Sequence, residues 1–561
     1  MRFTALTLLA ATAFAQDPKL DDYLTRLAGF GFSGVAFVAK GDKILLDKGY
    51  GLADRKSGTA MTPDSIISIG SITKQFTAAA ILKLEMQGKL TTTDPIGKFF
   101  PNAPADKKSI TLHQLLTHTA GLRSDYASSD YEPYARDAYM QRIFDAPLLS
   151  PPGETFRYAN AGYSMLAAIV EIASGQPYER YIYDNLFEPS GMTMTGYKLP
   201  KFPNAKIPRG YLGESDWGTI FERSWAPDGP WWELRGNGGI HSTASDMYRW
   251  HQALEAGKIL SKEAKAKFET GYINEGPMGQ SKYAYGWSIV QGPSGKLVEH
   301  NGGNRVFSCD FLRYVDAGLT IILFSNTSDM PAPDFSHPLA RVALGLDYAL
   351  PPKPITLSAA RLAAYAGTYT LPSGATITVT PTTAGVALAT SDQEAWGFLQ
   401  SSGRGPAGDL VKKLNERTAA ALDAGAKGDF APLKAAFGSN VPAGFEQRQT
   451  QMWKRQQDEN GKLQSVRALG TSPDGPGLAT TAELTFEHGK MYIQYMWNPE
   501  GELAAMLISD KLPPNRYSPE SESDFVSFSL AGPRVKRLKF ALDPAGVPTA
   551  LVLGPVTARK R

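Results

Sequence analysis

The chain has 561 residues, 42% of them hydrophobic and 11% aromatic, with a formal net charge of +3. That composition is globular rather than disordered or fibrous, and the length calls for two or more domains, each large enough to bury a core without staples. The near-neutral balance argues against a strongly charged partner. The basic residues near the end, Arg534, Lys536, Arg537, Lys539, Arg559, Lys560 and Arg561, lack an interleaved aromatic platform and read as a solvated face, so no nucleic-acid partner is expected.

In chain order, Arg2 followed by the mostly apolar run 3–14 and Ala13-Phe14-Ala15 reads as an export signal cleaved after Ala15. The run is shorter than the roughly 20 residues a bilayer span needs. No later run is long and apolar enough, so the mature chain is expected to have no transmembrane span and to be periplasmic or secreted. Residues 33–52 predict two short strands around Lys40-Gly41-Asp42-Lys43. A helix is expected from about Ser71 to Gln87, with one apolar face formed by Phe76, Ala79, Ala80, Ile81 and Leu84, and Gly88 just past its end. A second is expected from about Ala161 to Ser174, closed by Gly175. Residues 200–236, rich in Pro, Gly, Trp and Asp, read as a loop of the kind that covers active sites. Strands are predicted near 283–290, 296–300, 306–314 and 319–325. Strands at both ends and helices between predict one antiparallel sheet covered by helices, with both ends of the domain contributing to it.

Leu350 to Pro354 reads as a linker. Beyond it, 369–380 alternates like strand, 410–437 looks helical, and 479–487 with 490–497 form strands joined by His488-Gly489. A further hairpin links 534–542 to 547–553. The expected organisation is a signal peptide at 1–15, a catalytic-type α+β domain at 16–350 and a β-rich region at 351–561. The Gly-Ser-rich stretch at 401–408 opens an α+β insertion at about 405–510. The lone cysteine, Cys309, lies among Val306, Phe307 and Phe311 and reads as core, so no internal disulfide is expected.

Three short patterns carry chemistry. Ser71-Ile72-Thr73-Lys74 opens the first helix; residues three apart share a helix face, so the hydroxyl can meet the amine. A serine hydroxyl needs a nearby base, and a lysine can serve when desolvation lowers its pKa. Taken alone the pattern also fits a capping serine beside a solvated lysine. Tyr158-Ala159-Asn160 precedes the second helix; a phenol can relay a proton and an amide can grip a carbonyl or an amine, although a packed aromatic with an N-capping Asn is the plainer reading. His300-Asn301-Gly302-Gly303 follows a strand; glycine there lets a substrate backbone approach closely, and the histidine can hydrogen-bond the substrate or assist a proton relay, although a turn with a surface histidine fits as well. The seven histidines are scattered without H-x-H or H-E-x-x-H, so neither a metal nor a cofactor is expected.

Together these patterns resemble the β-lactamase and penicillin-binding-protein superfamily, specifically its class C-like branch, marked in order by S-x-x-K, Y-x-N and a K-T-G or H-x-G motif. Leu115 to Leu122 looks like that family's L-L-T-H-T-S-G-L, with Ala120 in the serine place, and Pro152-Gly153 and Asn237-Gly238-Gly239 are similar to family segments. The likeness covers about residues 20–345. It implies an antiparallel sheet flanked by helices plus an all-helical cluster. It also implies a serine hydrolase acylated at Ser71, with Lys74 and Tyr158 sharing base and acid work. Asn160, His300, Gly302 and Gly303 would bind substrate, and the backbone N–H groups of Ser71 and Gly303 would hold the oxyanion. His118 reads as structural. The implied partner is a small molecule or peptide with an amide, peptide or ester bond; a cell-wall DD-carboxypeptidase or endopeptidase, a β-lactamase and an idle ligand binder stay open, as does the oligomeric state. The chain departs from many β-lactamases in having His300 where they carry Lys, which puts β-lactamase activity in question; Arg305 is a candidate to restore the charge.

Overall fold

The computed structural model describes residues 16–126, 129–276, 281–390, 392–400, 409–438, 441, 445–474, 477–509, 515–528 and 535–561. The expected signal peptide and the 401–408 stretch lie outside the described residues. The chain forms two compact units that divide between Tyr348 and Ala349. Among the described residues no helix is long and apolar enough to cross a membrane.

The first unit is built on an eight-stranded sheet, ordered Lys43–Tyr50, Gly34–Lys40, Leu319–Ser325, Ser308–Tyr314, Gly295–Gly303, Ser288–Gly292, Ser281–Tyr283 and Ile273–Asn274. Every neighbouring pair is antiparallel. The two ends of the unit meet in mid-sheet, where Gly34–Lys40 pairs residue for residue with Leu319–Ser325. Leu319–Ser325 is buried throughout, and its apolar stretch Ile321 to Phe324 suits a strand covered on both faces. Alternation separates those faces. Val35, Phe37, Cys309, Phe311, Ile322 and Phe324 join the main core, whereas Asp310 points the other way and accepts a hydrogen bond from Ser336 of the Pro333–Ala343 helix.

Two details differ from the sequence reading. The strand expected at 283–290 is two strands joined by a tight turn, in which Ala284 N–H bonds the Trp287 carbonyl (2.7 Å). Gly286 holds φ +78° there, and a Cβ on it would lie 2.9 Å from the backbone of Lys74 and Gln75. The turn thus seats against the Lys74 helix, which a continuous strand could not do. The helix itself, Thr73–Met86 after a 3-10 turn at Gly70–Ile72, has no single apolar face. Thr73 to Leu82 are all buried, because other helices surround it. Phe76 fills its centre, with its ring 4.9 Å from both Phe187 and Trp250. The next helix relevant to the site runs Asn160–Ser174 and ends at Gly175 with φ +74°.

The second unit contains a closed barrel of Gly367–Thr370, Thr376–Thr382, Gly385–Ala389, Asn515–Pro519, Asp524–Phe528, Val535–Leu542, Pro548–Leu553 and Val556–Lys560, sealed where Tyr369 pairs with Lys560. Its interior is packed with Tyr369, Ile377, Val386, Phe525, Phe540 and Leu551. Between the third and fourth barrel strands lie helices and a four-stranded antiparallel sheet, Leu463–Asp474, Gly477–Phe486, Gly489–Trp497 and Leu503–Ser509, with a core of their own around Trp453, Leu484, Tyr495 and Trp497. The helix expected at 410–437 breaks into Asp409–Ala426 and Ala431–Ala436 at Gly428, whose φ of +84° leaves the helical region.

Phe76→Ala removes a fully buried ring from the core of the first unit. It should destabilise the protein by about 3–5 kcal/mol, read from urea unfolding followed by tryptophan fluorescence.

Candidate active site

Ser71 stands where a short strand hands over to a helix. Ile67–Ser68 pairs with His241–Ser242, Gly70 turns the chain at φ +50°, and the 3-10 turn begins. The first bond of that turn runs from Ile72 N–H to Ile69 C=O, so the Ser71 N–H precedes the helical ladder. The strand carrying Gly302 and Gly303 runs directly alongside. A Cβ on Gly70 would fall 2.2 Å from Gly303 N, and one on Gly302 would fall 2.0 Å from Ile69 O and 2.7 Å from Ser71 N. Only glycine permits that approach, which brings the backbones of residues 71 and 303 to one edge.

Lys74 is fully buried one turn on. Its Nζ lies 2.9 Å from each of three oxygens: Ser71 Oγ, Asn160 Oδ1 and the Asn237 carbonyl. It also sits 4.7 Å above the Tyr158 ring. Burial brings the amine down to about 7, against the attraction of Asp125 and Asp130. Burial pushes the Tyr158 phenol above its ordinary range, although a hydrogen bond with the Ser71 hydroxyl pulls the other way. Asn160 is anchored at both ends of its amide, with Nδ2 donating to Asp125 Oδ1 at 2.8 Å.

His118 adopts φ +57°, the one non-glycine positive φ among the described residues. Its Nδ1 accepts from Ala159 N–H (3.1 Å) and its ring lies 4.2 Å from that of Tyr158. It is therefore a buried support beneath the tyrosine. His300 is nearly buried, with Nδ1 on the Asn301 carbonyl and Nε2 3.1 Å from the Tyr283 hydroxyl. The carbonyl can only accept, so Nδ1 carries the proton and Nε2 receives the phenol. Burial lowers this imidazole to about 4, helped by the charge of Lys74, so it is neutral at neutral pH. Arg305, the candidate to replace the missing cation, is exposed and outside the cleft lining.

The cleft, about 390 Å³, is lined by Ser71, Asn160 and Gly303 together with Asp130, Tyr131, Ile220, Leu234 and Asn304, among others. A second pocket of about 590 Å³, beyond Tyr158 and His300, carries Glu275, Glu299, Asp310 and His337. Among the described residues neither lining contains a lysine or arginine. The 200–236 segment walls the cleft with Ile220 and Leu234. It is pinned by Arg235, which grips Asp228 with two 2.8 Å bonds, and by Phe221, stacked on buried His241. Asp125, Asp130 and the Asn237 carbonyl escaped the sequence reading: a backbone acceptor leaves no side-chain signature, and the aspartates sit in an unpatterned polar stretch. Among the described residues no group of three or more His, Cys, Asp or Glu could hold a metal ion.

The fold and this arrangement define the class of protein as an α+β unit with a serine and a lysine at one helix start, of the kind found in β-lactamase-like proteins. Residues 21–346 match the family model described as Beta-lactamase, and the chain belongs to the beta-lactamase family. Two relatives come from Bacillus subtilis (strain 168). "Putative penicillin-binding protein PbpX" is 34% identical over 313 residues, 55% of this chain and 74% of that one. "Penicillin-binding protein 4*" is 29% identical over 380 residues, 62% of this chain and 82% of that one. Among solved structures, the octameric penicillin-binding protein homologue from Pyrococcus abyssi matches in fold with a TM-score of 0.52 and 21% identity, covering 88% of this chain and 99% of that one.

The depressed Lys74 amine has a consequence for stability. Between about 7 and its ordinary 10.5 the unfolded chain holds a proton that the native amine has lost, so native stability rises with pH across that window. Lys74→Met removes the penalty. Urea unfolding should therefore show the variant's advantage over the natural chain to be greatest at pH 7 and to shrink steadily towards pH 10; a difference independent of pH would contradict a buried, largely neutral lysine.

Proposed function

We propose that this chain is a serine hydrolase in which Ser71 attacks a carbonyl, is acylated, and is freed by water. The observation that carries this reading is the trio of oxygens around the Lys74 amine. Two of them, Asn160 Oδ1 and the Asn237 carbonyl, can only accept. A neutral amine gives them its two N–H groups and turns its lone pair to the one partner able to donate, the Ser71 hydroxyl. Lys74 then takes the serine proton as Oγ bonds the carbonyl carbon. The oxyanion rests on the N–H groups of Ser71 and Gly303. Tyr158, kept protonated by burial, delivers a proton to the leaving group as its bond breaks and regains one from Lys74. Water attacks the acyl-enzyme by the reverse path.

The substrate this reading favours is an ester, amide or peptide without a carboxylate beside the scissile bond. Its support is the neutral His300 and the lack of Lys or Arg in both pocket linings. A second reading, acylation by penicillins or cell-wall peptides, is favoured by the names of the two Bacillus relatives. Work outside the cytoplasm belongs to the same proposal and rests on the N-terminal sequence alone.

A fluorophosphonate probe should label Ser71. Short p-nitrophenyl esters should turn over with a pH profile rising through about 7, and Ser71→Ala should abolish both. Turnover surviving in Ser71→Ala would refute the assignment, and a folded protein that never labels would make this a ligand binder. Fluorescent penicillin separates the two substrate readings: a stable adduct supports the second, and no adduct alongside ester turnover supports the first.

A further inference from the structure

We propose that Asp125 is a positioning residue for the Ser71–Lys74 pair, acting through the Asn160 amide. The proposal rests on Lys74 serving as the base.

An asparagine amide has nearly equivalent ends in shape and opposite ends in chemistry. If Asn160 turned over, it would present NH₂ to Lys74, and the amine would lose one of its acceptors. What prevents this is the partner at the far end. Asp125 is a carboxylate, able only to accept, and it lies 2.8 Å from Asn160 Nδ2. Its presence therefore forces Oδ1 to face Lys74 at 2.9 Å. The chain of contacts runs Asp125, Asn160, Lys74, Ser71, and each link has one chemically allowed direction while Lys74 is neutral.

Asp125 also acts by charge. The groups around Lys74 come from every element packed on it. Tyr158 and Tyr163 are phenols raised above their ordinary range, His118 and His300 are imidazoles held neutral by burial, and Glu233 is pushed up to about 8 and so is largely protonated. The anions opposing desolvation of the amine are Asp125 and Asp130. Removing one negative charge lets burial pull Lys74 lower still, so the neutral base persists to lower pH.

Asp125 is exposed, so substitution there leaves packing undisturbed. Asp125→Asn keeps an acceptor for Asn160 without the charge; Asp125→Ala removes both. In the full chain with labelled lysine, the Lys74 signal, assigned by its loss in Lys74→Arg, is titrated by NMR, and acylation by a p-nitrophenyl ester is followed against pH. In both variants the Lys74 midpoint should fall by about half to one pH unit. The acid limb of the rate should move with it. The plateau rate should drop about tenfold in Asp125→Ala and distinctly less in Asp125→Asn. An unmoved Lys74 midpoint in Asp125→Asn, or equal plateaus in the two variants, would overturn the proposal. A midpoint that moves while the acid limb stays put would show that Lys74 is not the base, so that the reading beneath the proposal fails rather than the link from Asp125 to Lys74.

Discussion

A primary amine buried without a carboxylate against it is the constraint around which the first unit is arranged. Lys74 sits in the buried first part of its helix and reaches no anion directly; its contacts are a hydroxyl, a side-chain amide oxygen and a backbone carbonyl. Desolvating a charged ammonium that way is expensive, and the protein meets the cost by letting the amine lose its proton near neutrality. Each of the three oxygens comes from a different part of the chain: the 3-10 turn before the helix, the start of the Asn160 helix, and the segment that closes the 200–236 wall. The lysine therefore ties together three stretches that are far apart in sequence, and a serine one turn away becomes the partner whose proton it can take.

The rest of the site keeps charge away from that amine. The phenols of Tyr158, Tyr163 and Tyr283 are all raised by burial. His300, whose counterpart in many relatives by resemblance is a lysine, is neutral and engaged through both ring nitrogens. A second ammonium at 300 would compete with Lys74 for the same negative field; a neutral imidazole does not. The carboxyl groups stand further out: Asp130 in the first cleft, Asp125 behind the Asn160 amide, and Glu275, Glu299 and Asp310 in the neighbouring pocket, where burial pushes the Asp310 carboxyl up. This distribution is the reverse of what would anchor a substrate carboxylate, and it is the physical ground for preferring esters and amides.

Much of this was legible in the residues. Gly175 closed a helix where expected, and strands read at both ends of the first domain do share one antiparallel sheet. Glycine 302 was read as room for a substrate backbone, and it is the chain's own backbone at Ile69 and Ser71 that lies against it. The three-residue spacing of Ser71 and Lys74 allowed them to meet on one helix face, and burial of Lys74 excludes the solvated lysine that the spacing also fitted. What stayed hidden was tertiary. The helix at Thr73–Met86 was expected to show one apolar face, but other helices enclose it, and burial on all sides erases the periodicity that a sequence can display. The turn at Gly286 could not be separated from its flanking strands, since its positive φ serves a contact with a helix two hundred residues away in the chain. The Asn237 carbonyl has no side-chain signal, and the aspartates at 125 and 130 acquire meaning only once Asn160 and the cleft are in place.

The central claim concerns where three protons lie, and a neutron diffraction structure of the deuterated protein at about pH 8.5 observes them directly. The account predicts two deuterons on Lys74 Nζ, directed at Asn160 Oδ1 and the Asn237 carbonyl, with the Ser71 deuteron pointing at the nitrogen. Three deuterons on Nζ, with the serine deuteron turned elsewhere, would contradict it.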